Sequence, residues 1–205
     1  MNYILASASP RRRELMRFIS DSFKIVPSNE KEACDFSLSP PEIAEKLAKN
    51  KAAAVLNKEN IDNDTIVIGC DTIVVLGRQI FGKPKDPADA AGTLRLLSGK
   101  THEVITGVCL AGKKKTETFH VTTKVTFYPL SDREIADYVG SGEPFDKAGS
   151  YGIQQKGCLL VEKIEGDYYN VVGLPVSALA RRLGTYQKSC KKIKNEFSFN
   201  FIENS

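Results

Sequence analysis

Cysteine and histidine are sparse in this chain. Its five cysteines (Cys34, Cys70, Cys109, Cys158, Cys190) are scattered and odd in number. None stands at C-x-x-C spacing, so neither a zinc site nor a disulfide framework is expected. A reduced, cytoplasmic setting follows. Two histidines, His102 and His120, are too few for a histidine-rich metal centre. No apolar run is long enough to cross a bilayer, and the first residues lack the basic, apolar, small order of a signal peptide. A membrane partner is therefore not expected. Charge of one sign is also modest, with a net of +4. A nucleic-acid binder shows clustered basic residues instead, so nucleic acid is not an expected partner. Three familiar signatures are missing as well. Without G-x-x-x-x-G-K-[ST] there is no P-loop, without G-x-S-x-G no nucleophile elbow, and without G-x-G-x-x-G no support for nicotinamide chemistry.

What is present fits one α/β domain, or two lobes around a cleft: 205 residues, 41% hydrophobic and 26% charged. The most informative stretch is Ser7-Ala-Ser-Pro-Arg-Arg-Arg13. The apolar Tyr3–Ala6 before it predicts a strand. Leu15, Phe18 and Ile19 after it fall at helical spacing. The stretch reads as a strand-to-helix turn, with Ser9 as N-cap and Pro10 in the first helical position. Cations are disfavoured at a helix start, yet Arg11, Arg12 and Arg13 crowd this one. A docked anion would resolve the conflict, and an arginine fork suits phosphate. Arginines that simply face solvent or nearby carboxylates are the alternative.

Further along, Phe23–Val26 predicts a second strand, followed by a polar loop carrying Glu30 and Glu32. Those two carboxylates are either solvated or metal ligands. Ser39-Pro-Pro-Glu42 opens a helix with Ile43, Leu47 and Val55 on its apolar stripe. Lys51 lies four residues from both Leu47 and Val55, in the apolar phase. It either snorkels at the core edge or aims its ammonium into a cleft that holds an anion. The run Thr65–Leu76 is the most strand-like segment, and Asp71 is its only charged residue. An ionised carboxylate there is costly unless paired or bound to metal. That makes Asp71 a candidate for chemistry, with a buried structural ion pair as the alternative.

Lys83 sits between Gly82 and Pro84, which exclude helix. Asp86-Pro87 caps a helix ending near Gly99. His102–Ala111 and Thr116–Phe127 predict a hairpin with a lysine-rich tip, and Ser131-x-x-Glu134 is a capping box before a short helix. A long loop from Gly140 to Gln154 carries Glu143, Asp146, Lys147 and Gln154; loops of that kind are often functional. Leu159–Ile164 predicts a strand. A last helix is predicted from Gly173, stopping at Gly184. Residues 1–184 would then form the domain, and residues 185–205 a basic appended tail.

Two sets of residues break local rules. The basic set is Arg11, Arg12, Arg13, Lys51 and Lys83, with Lys147 as a further member, and would hold a polyphosphate. The acidic set is Asp71 and Glu32, with Glu143 and Asp146 as further members, and would hold Mg²⁺ or Mn²⁺, which prefer carboxylate and phosphate oxygens. Together they suit attack of an activated water on phosphorus.

At this point the sequence resembles a family. Ser7-x-Ser9-Pro-Arg-Arg12, Glu32, Leu47-Ala-x-x-Lys51-Ala, Gly69-x-Asp71-Thr72, Gly82-Lys83-Pro84, Gly99-x-Thr101-His102-x-Val104-x-Thr106-Gly107, Asp146-Lys147-Ala-Gly149 with Tyr151-Gly-Ile-Gln154, and Tyr169-Asn-Val-Val-Gly-Leu-Pro175 occur in order. The set resembles the Maf family of nucleoside triphosphate pyrophosphatases from about Asn2 to Leu183. The resemblance implies a curved mixed sheet flanked by helices, with two lobes around a cleft, similar to inosine triphosphatases and often dimeric. It implies hydrolysis of a nucleoside triphosphate to the monophosphate and pyrophosphate with a divalent cation, Mg²⁺ or Mn²⁺. Asp71 matches the family's catalytic base and a metal ligand, with Glu32 the second acidic position. Ser7, Ser9, Arg12, Lys51 and Lys83 match phosphate-contacting positions. Arg11, Thr72 and Gln154 match positions of the branch preferring dTTP and UTP, as opposed to 7-methyl-GTP. The chain departs from the pattern at Asn29, where an acidic residue is common, and at Cys70, where a smaller residue is frequent. Two rival readings stand beside this one: a purine-directed pyrophosphatase, and a non-catalytic nucleotide or nucleic-acid binder that regulates septum formation.

Overall fold

The computed structural model describes residues 1–28 and 35–199, with side chains of the last helix to position 189. Asn29, Glu30, Glu32 and Cys34 lie outside the described residues. Strands β1 (Asn2–Leu5), β2 (Lys24–Ile25), β3 (Thr65–Leu76), β4 (Gln79–Phe81), β5 (Thr101–Ala111), β6 (Thr116–Phe127) and β7 (Val161–Glu165) form one seven-stranded mixed sheet. Its order is β2-β1-β3-β5-β6-β7, with β4 beside β3. β1 is parallel to β2 and β3, and every other pairing is antiparallel. The helices are α1 (Pro10–Met16), α2 (Pro40–Lys58), α3 (Pro87–Leu97), α4 (Asp132–Gly140), α5 (Tyr168–Val172) and α6 (Val176–Phe199). This is the mixed α/β architecture expected from the sequence.

Caps fix the helix starts. Ser9 accepts from the Arg12 amide, Asp86 from the Asp89 amide, and capping boxes close at Ser39/Glu42 and Ser131/Glu134. The β3 run is buried on both faces, as its near-continuous apolar sequence demands. One face is covered by α2. Gly69 and Gly107 allow this, since a Cβ at either would lie 2.2 Å from the α2 backbone at Ala48 or Ala44. The other face carries two apolar clusters. α1, α5 and α6 supply Leu15, Met16, Val172, Leu179 and Leu183 to one. α3 and α4 supply Leu94, Leu97, Ile135 and Tyr138 to the other.

Several expectations change. α1 ends at Met16, and Phe18 is 70% exposed. The second strand shortens to Lys24–Ile25. The last helix does not stop at Gly184. That glycine has ordinary helical backbone and open space around it, and α6 continues to Phe199. Tyr186 is buried and donates its hydroxyl to the Lys115 carbonyl at the hairpin tip. Gln187 donates to the Tyr3 hydroxyl at 2.7 Å. The boundary placed at Gly184 therefore falls inside a helix docked on the sheet. The loop after Gly140 is built from three short 3₁₀ turns, Glu143–Asp146, Ala148–Ser150 and Gln155–Leu159. Gly149 has φ 69°, and a Cβ there would come within 3 Å of Val74, so this turn sits directly on β3.

Candidate active site

The sheet leaves one gap, and the cavity forms there. β1 pairs with Thr65–Ile68 and β4 with Val74–Leu76, both along β3. Between them, residues 69–73 have no strand on that edge among the described residues. The Ser7–Arg12 turn and the loop from Asp146 to Gln155 close around the opening. The resulting cavity of about 670 Å³ is lined by Ser9, Arg11, Arg12, Lys51, Asp71, Thr72, Lys83 and Gln154, among others. Eight of the sequence-predicted site residues thus share one hollow. Ser7 lies just behind it, buried, with its Oγ accepting from the Ser9 amide at 3.2 Å. Glu32 lies outside the described residues.

Asp71 is only 4% exposed. It forms an ion pair with Lys51, reached from α2 across the glycine-lined contact. In register, Asp71 lies opposite Gly107, which has no side chain to crowd it. Removing both charges from water is costly, and the pairing offsets that cost for each partner. Lys51 is therefore the inward-directed lysine of its helix, not a solvated one.

Arg12 is placed differently. Its Nε donates to the Gly173 carbonyl at 2.8 Å, Nη1 to the Cys70 carbonyl at 2.9 Å and to Ser7 Oγ at 3.4 Å, and Nη2 to Thr72 Oγ1 at 2.9 Å. A guanidinium has five N–H donors. Four are engaged, which leaves one on Nη2 for a ligand among the described residues. The two-pronged phosphate grip anticipated for this arginine is spent on the protein itself, stitching the α1 start to the open edge of β3.

At the rim, Arg11 pairs with Asp146 at 2.8 Å, and Lys147 reaches the same carboxylate at 2.7 Å. Partial burial works against the Asp146 charge, but the Lys147 and Arg11 contacts outweigh it, so its pKa lies below the ordinary value. Lys83 is exposed and Gln154 half-buried on the cavity wall. Arg13, the third arginine of the first turn, is exposed and is not among the lining residues. Apolar walls come from Leu47, Ile73, Ile80, Val104 and Ile153. The hollow thus has a cationic half, one buried carboxylate and a greasy half.

Among the described residues, no cluster of three His, Cys, Asp or Glu side chains could hold a metal by itself. A hard divalent cation does not need one, because it keeps waters and takes ligands from substrate phosphates. A single buried carboxylate on the cavity wall is compatible with that role.

Sequence reasoning missed part of the support. Thr106 and Asn170, both fully buried, continue the hydrogen bonds of Thr72 into the protein. Tyr151 lines the cavity and bonds His102 Nε2 at 2.8 Å. His102, Tyr151 and Phe127 stack edge-to-face with centroids 4.7–5.3 Å apart. Burial lowers the His102 pKa to about 4 and raises that of the Tyr151 hydroxyl. A histidine in phase with Val104 and Thr106 on one face of its strand was the available signal.

Comparison with solved structures gives the architecture its class. The fold is similar to that of the Staphylococcus aureus Ham1 protein, with TM-score 0.51 and 14% identity, over 91% of this chain and 100% of that one. The Maf-like protein family model matches residues 2–186, and the chain belongs to that family. Among curated relatives, the dTTP/UTP pyrophosphatase of Bacillus cytotoxicus is 51% identical over 88% of this chain and 93% of its own length. The dTTP/UTP pyrophosphatase of Bacillus cereus is 53% identical over the same shares.

Proposed function

We propose that this chain hydrolyses dTTP and UTP to the nucleoside monophosphate and pyrophosphate, by water attack at the α-phosphorus. The names of the two Bacillus relatives support the substrates. The observation that carries the chemistry is the buried Asp71–Lys51 pair in a cavity also lined by Arg11, Arg12, Lys83 and Lys147.

The cations sort a triphosphate along the hollow. Lys51, Lys83 and the spare N–H of Arg12 take the β- and γ-phosphates, so pyrophosphate leaves as a stabilised anion. Ser7 and Ser9 shape the turn on which Arg12 stands. As phosphate oxygens approach, the Lys51 ammonium gains a second anionic partner and its hold on Asp71 loosens. The Asp71 carboxylate then accepts a proton from water held in line with the α-phosphorus. General-base assistance of this kind contributes about 10²–10⁴-fold. Asp71, with Glu32, would hold Mg²⁺ or Mn²⁺, which when bound neutralises charge on the phosphates and lowers the pKa of a ligated water. Arg11 and Gln154 face the base from the rim, with Thr72 between them and the phosphates. A glutamine amide both donates and accepts, which matches the carbonyl and imide edge of thymine and uracil. The apolar walls receive the face of the ring.

No described helix is long and apolar enough to cross a membrane. The buried thiols Cys70 and Cys109 are unpaired, which fits a reducing cytoplasm. A homodimer is part of the proposal, to be read by light scattering.

Steady-state hydrolysis of dTTP, UTP, CTP and 7-methyl-GTP with Mg²⁺ or Mn²⁺ tests the reading. The expected products are monophosphate and pyrophosphate, with dTTP and UTP preferred. Diphosphate with orthophosphate would refute it, and so would a preference for 7-methyl-GTP.

A further inference from the structure

Thr72 and Thr106 face each other across β3 and β5, with their hydroxyl oxygens 2.9 Å apart. The direction of every proton in this chain of contacts is fixed by its ends. The Asn170 carbonyl can only accept, so Thr106, 3.1 Å away, donates to it. Thr106 Oγ1 must then accept from Thr72. Having donated its proton, Thr72 can only accept from Arg12 Nη2. A hydroxyl carries one proton and accepts twice, so Thr72 has no proton left for a nucleobase or a phosphate, while it can still accept from one more donor. Asn170 is anchored in turn. Its Nδ2 donates to the Val104 carbonyl and to Thr123 Oγ1, both at 3.0 Å. Thr123 donates to the Asp167 carbonyl at 3.1 Å. Thr106, Thr123 and Asn170 are all completely buried, and Asn170 keeps its place although its Oδ1 has no partner among the described residues.

We propose that Thr106, anchored on Asn170, is a positioning residue that acts through Thr72 to fix the Arg12 guanidinium. The proposal rests on the pyrophosphatase reading for its kinetic consequence, but the placement of Arg12 can be observed without turnover. A guanidinium with four N–H groups already held by two carbonyls and two hydroxyls presents its fifth without rearrangement when charge develops on the phosphates. Preorganised donors of that kind act mainly in the transition state.

The test compares Thr106→Val, which keeps shape and loses the hydroxyl, with Thr106→Ser, which keeps the hydroxyl. Solvent exchange of the Arg12 Nε proton, read by NMR, should speed up at least about tenfold in the valine variant and stay within about twofold in the serine variant. With UTP, kcat/KM should fall about tenfold in Thr106→Val, mostly in kcat, as expected for loss of the one buried hydrogen bond that orients Thr72 toward Arg12. The serine variant should retain it. Thr72→Val cuts the same chain from the half-buried end and keeps the question decidable if Thr106→Val does not fold. It should lose a similar factor, and the double variant should be no worse than either single. Wild-type exchange and kinetics in Thr106→Val would overturn the proposal. Equal losses in the valine and serine variants, or multiplying losses in the double variant, would do the same. If the unaltered protein releases no pyrophosphate from any of these nucleotides, the proposed function falls, and the exchange measurement alone decides the positioning role.

Discussion

Asp71 and Thr72 are adjacent in one strand, yet their side chains enter opposite faces of the sheet and are held in opposite ways. On the α2 face, Asp71 has Lys51 beside it, a single long side chain whose ammonium can swing to an arriving phosphate. On the other face, Thr72 belongs to a saturated chain from Arg12 to Asn170, in which each hydroxyl proton has one place to go. The difference separates two jobs. A group that must exchange a proton with water is held by a partner that can leave. In the proposed mechanism, the cation that must be in place beforehand is held by two carbonyls and two hydroxyls built into the fold.

The sharpest way to break this contrast is to remove the movable partner. Lys51→Ala would remove the ammonium paired with the buried Asp71 carboxylate, and removing one partner of a buried pair costs about 3–5 kcal/mol. Thermal unfolding should show a large fall in midpoint. Replacing both partners by apolar residues of similar size, as in Lys51→Met with Asp71→Leu, should recover most of that loss without recovering activity. Asp71→Asn keeps the shape and removes the proposed base, so turnover of UTP should fall at least about 100-fold, with a smaller fall in melting temperature than Lys51→Ala, because the amide still accepts a hydrogen bond from the Lys51 ammonium.

The rigid face can be probed through His102, on the same side of β5 as Thr106. The unfolded histidine takes up its proton near pH 6.5, the folded one only near 4. Between those values the unfolded chain binds more protons, so stability falls as pH falls through this window. The contribution should reach about 2 kcal/mol by pH 5. His102→Phe should flatten that part of the slope, measured as the difference between the two proteins in urea unfolding from pH 7 to 4.5. The smallest effect belongs to the rim. Arg11→Ala breaks an exposed pair with Asp146, so stability should change by under about 1 kcal/mol. Discrimination between dTTP and CTP should weaken instead.

Much of the reactive face was legible because its signals are local. Asp71 is one charge in a long apolar run, Lys51 sits in the apolar phase of its helix, and caps mark the start of nearly every helix. The rigid face was not, because its partners are remote. Arg12 meets Cys70 and Gly173, 58 and 161 residues away, and backbone carbonyls leave no mark in a sequence. The three arginines suggested a phosphate fork because nothing local says where guanidinium protons go. Short elements escaped for a related reason. β4 has three residues and α5 five, too few to show a period. The false stop at Gly184 came from reading a glycine as a C-cap where the helix simply passes through it, held beyond by Tyr186.

Hydrolysis of UTP in ¹⁸O-labelled water tests the central assignment most directly, since it reports which phosphorus the water attacks. Attack at the α-phosphorus puts the label in UMP and leaves pyrophosphate unlabelled, and Asp71→Asn suppresses the labelled product. Label recovered in pyrophosphate, or undiminished formation of labelled UMP by Asp71→Asn, would contradict the account.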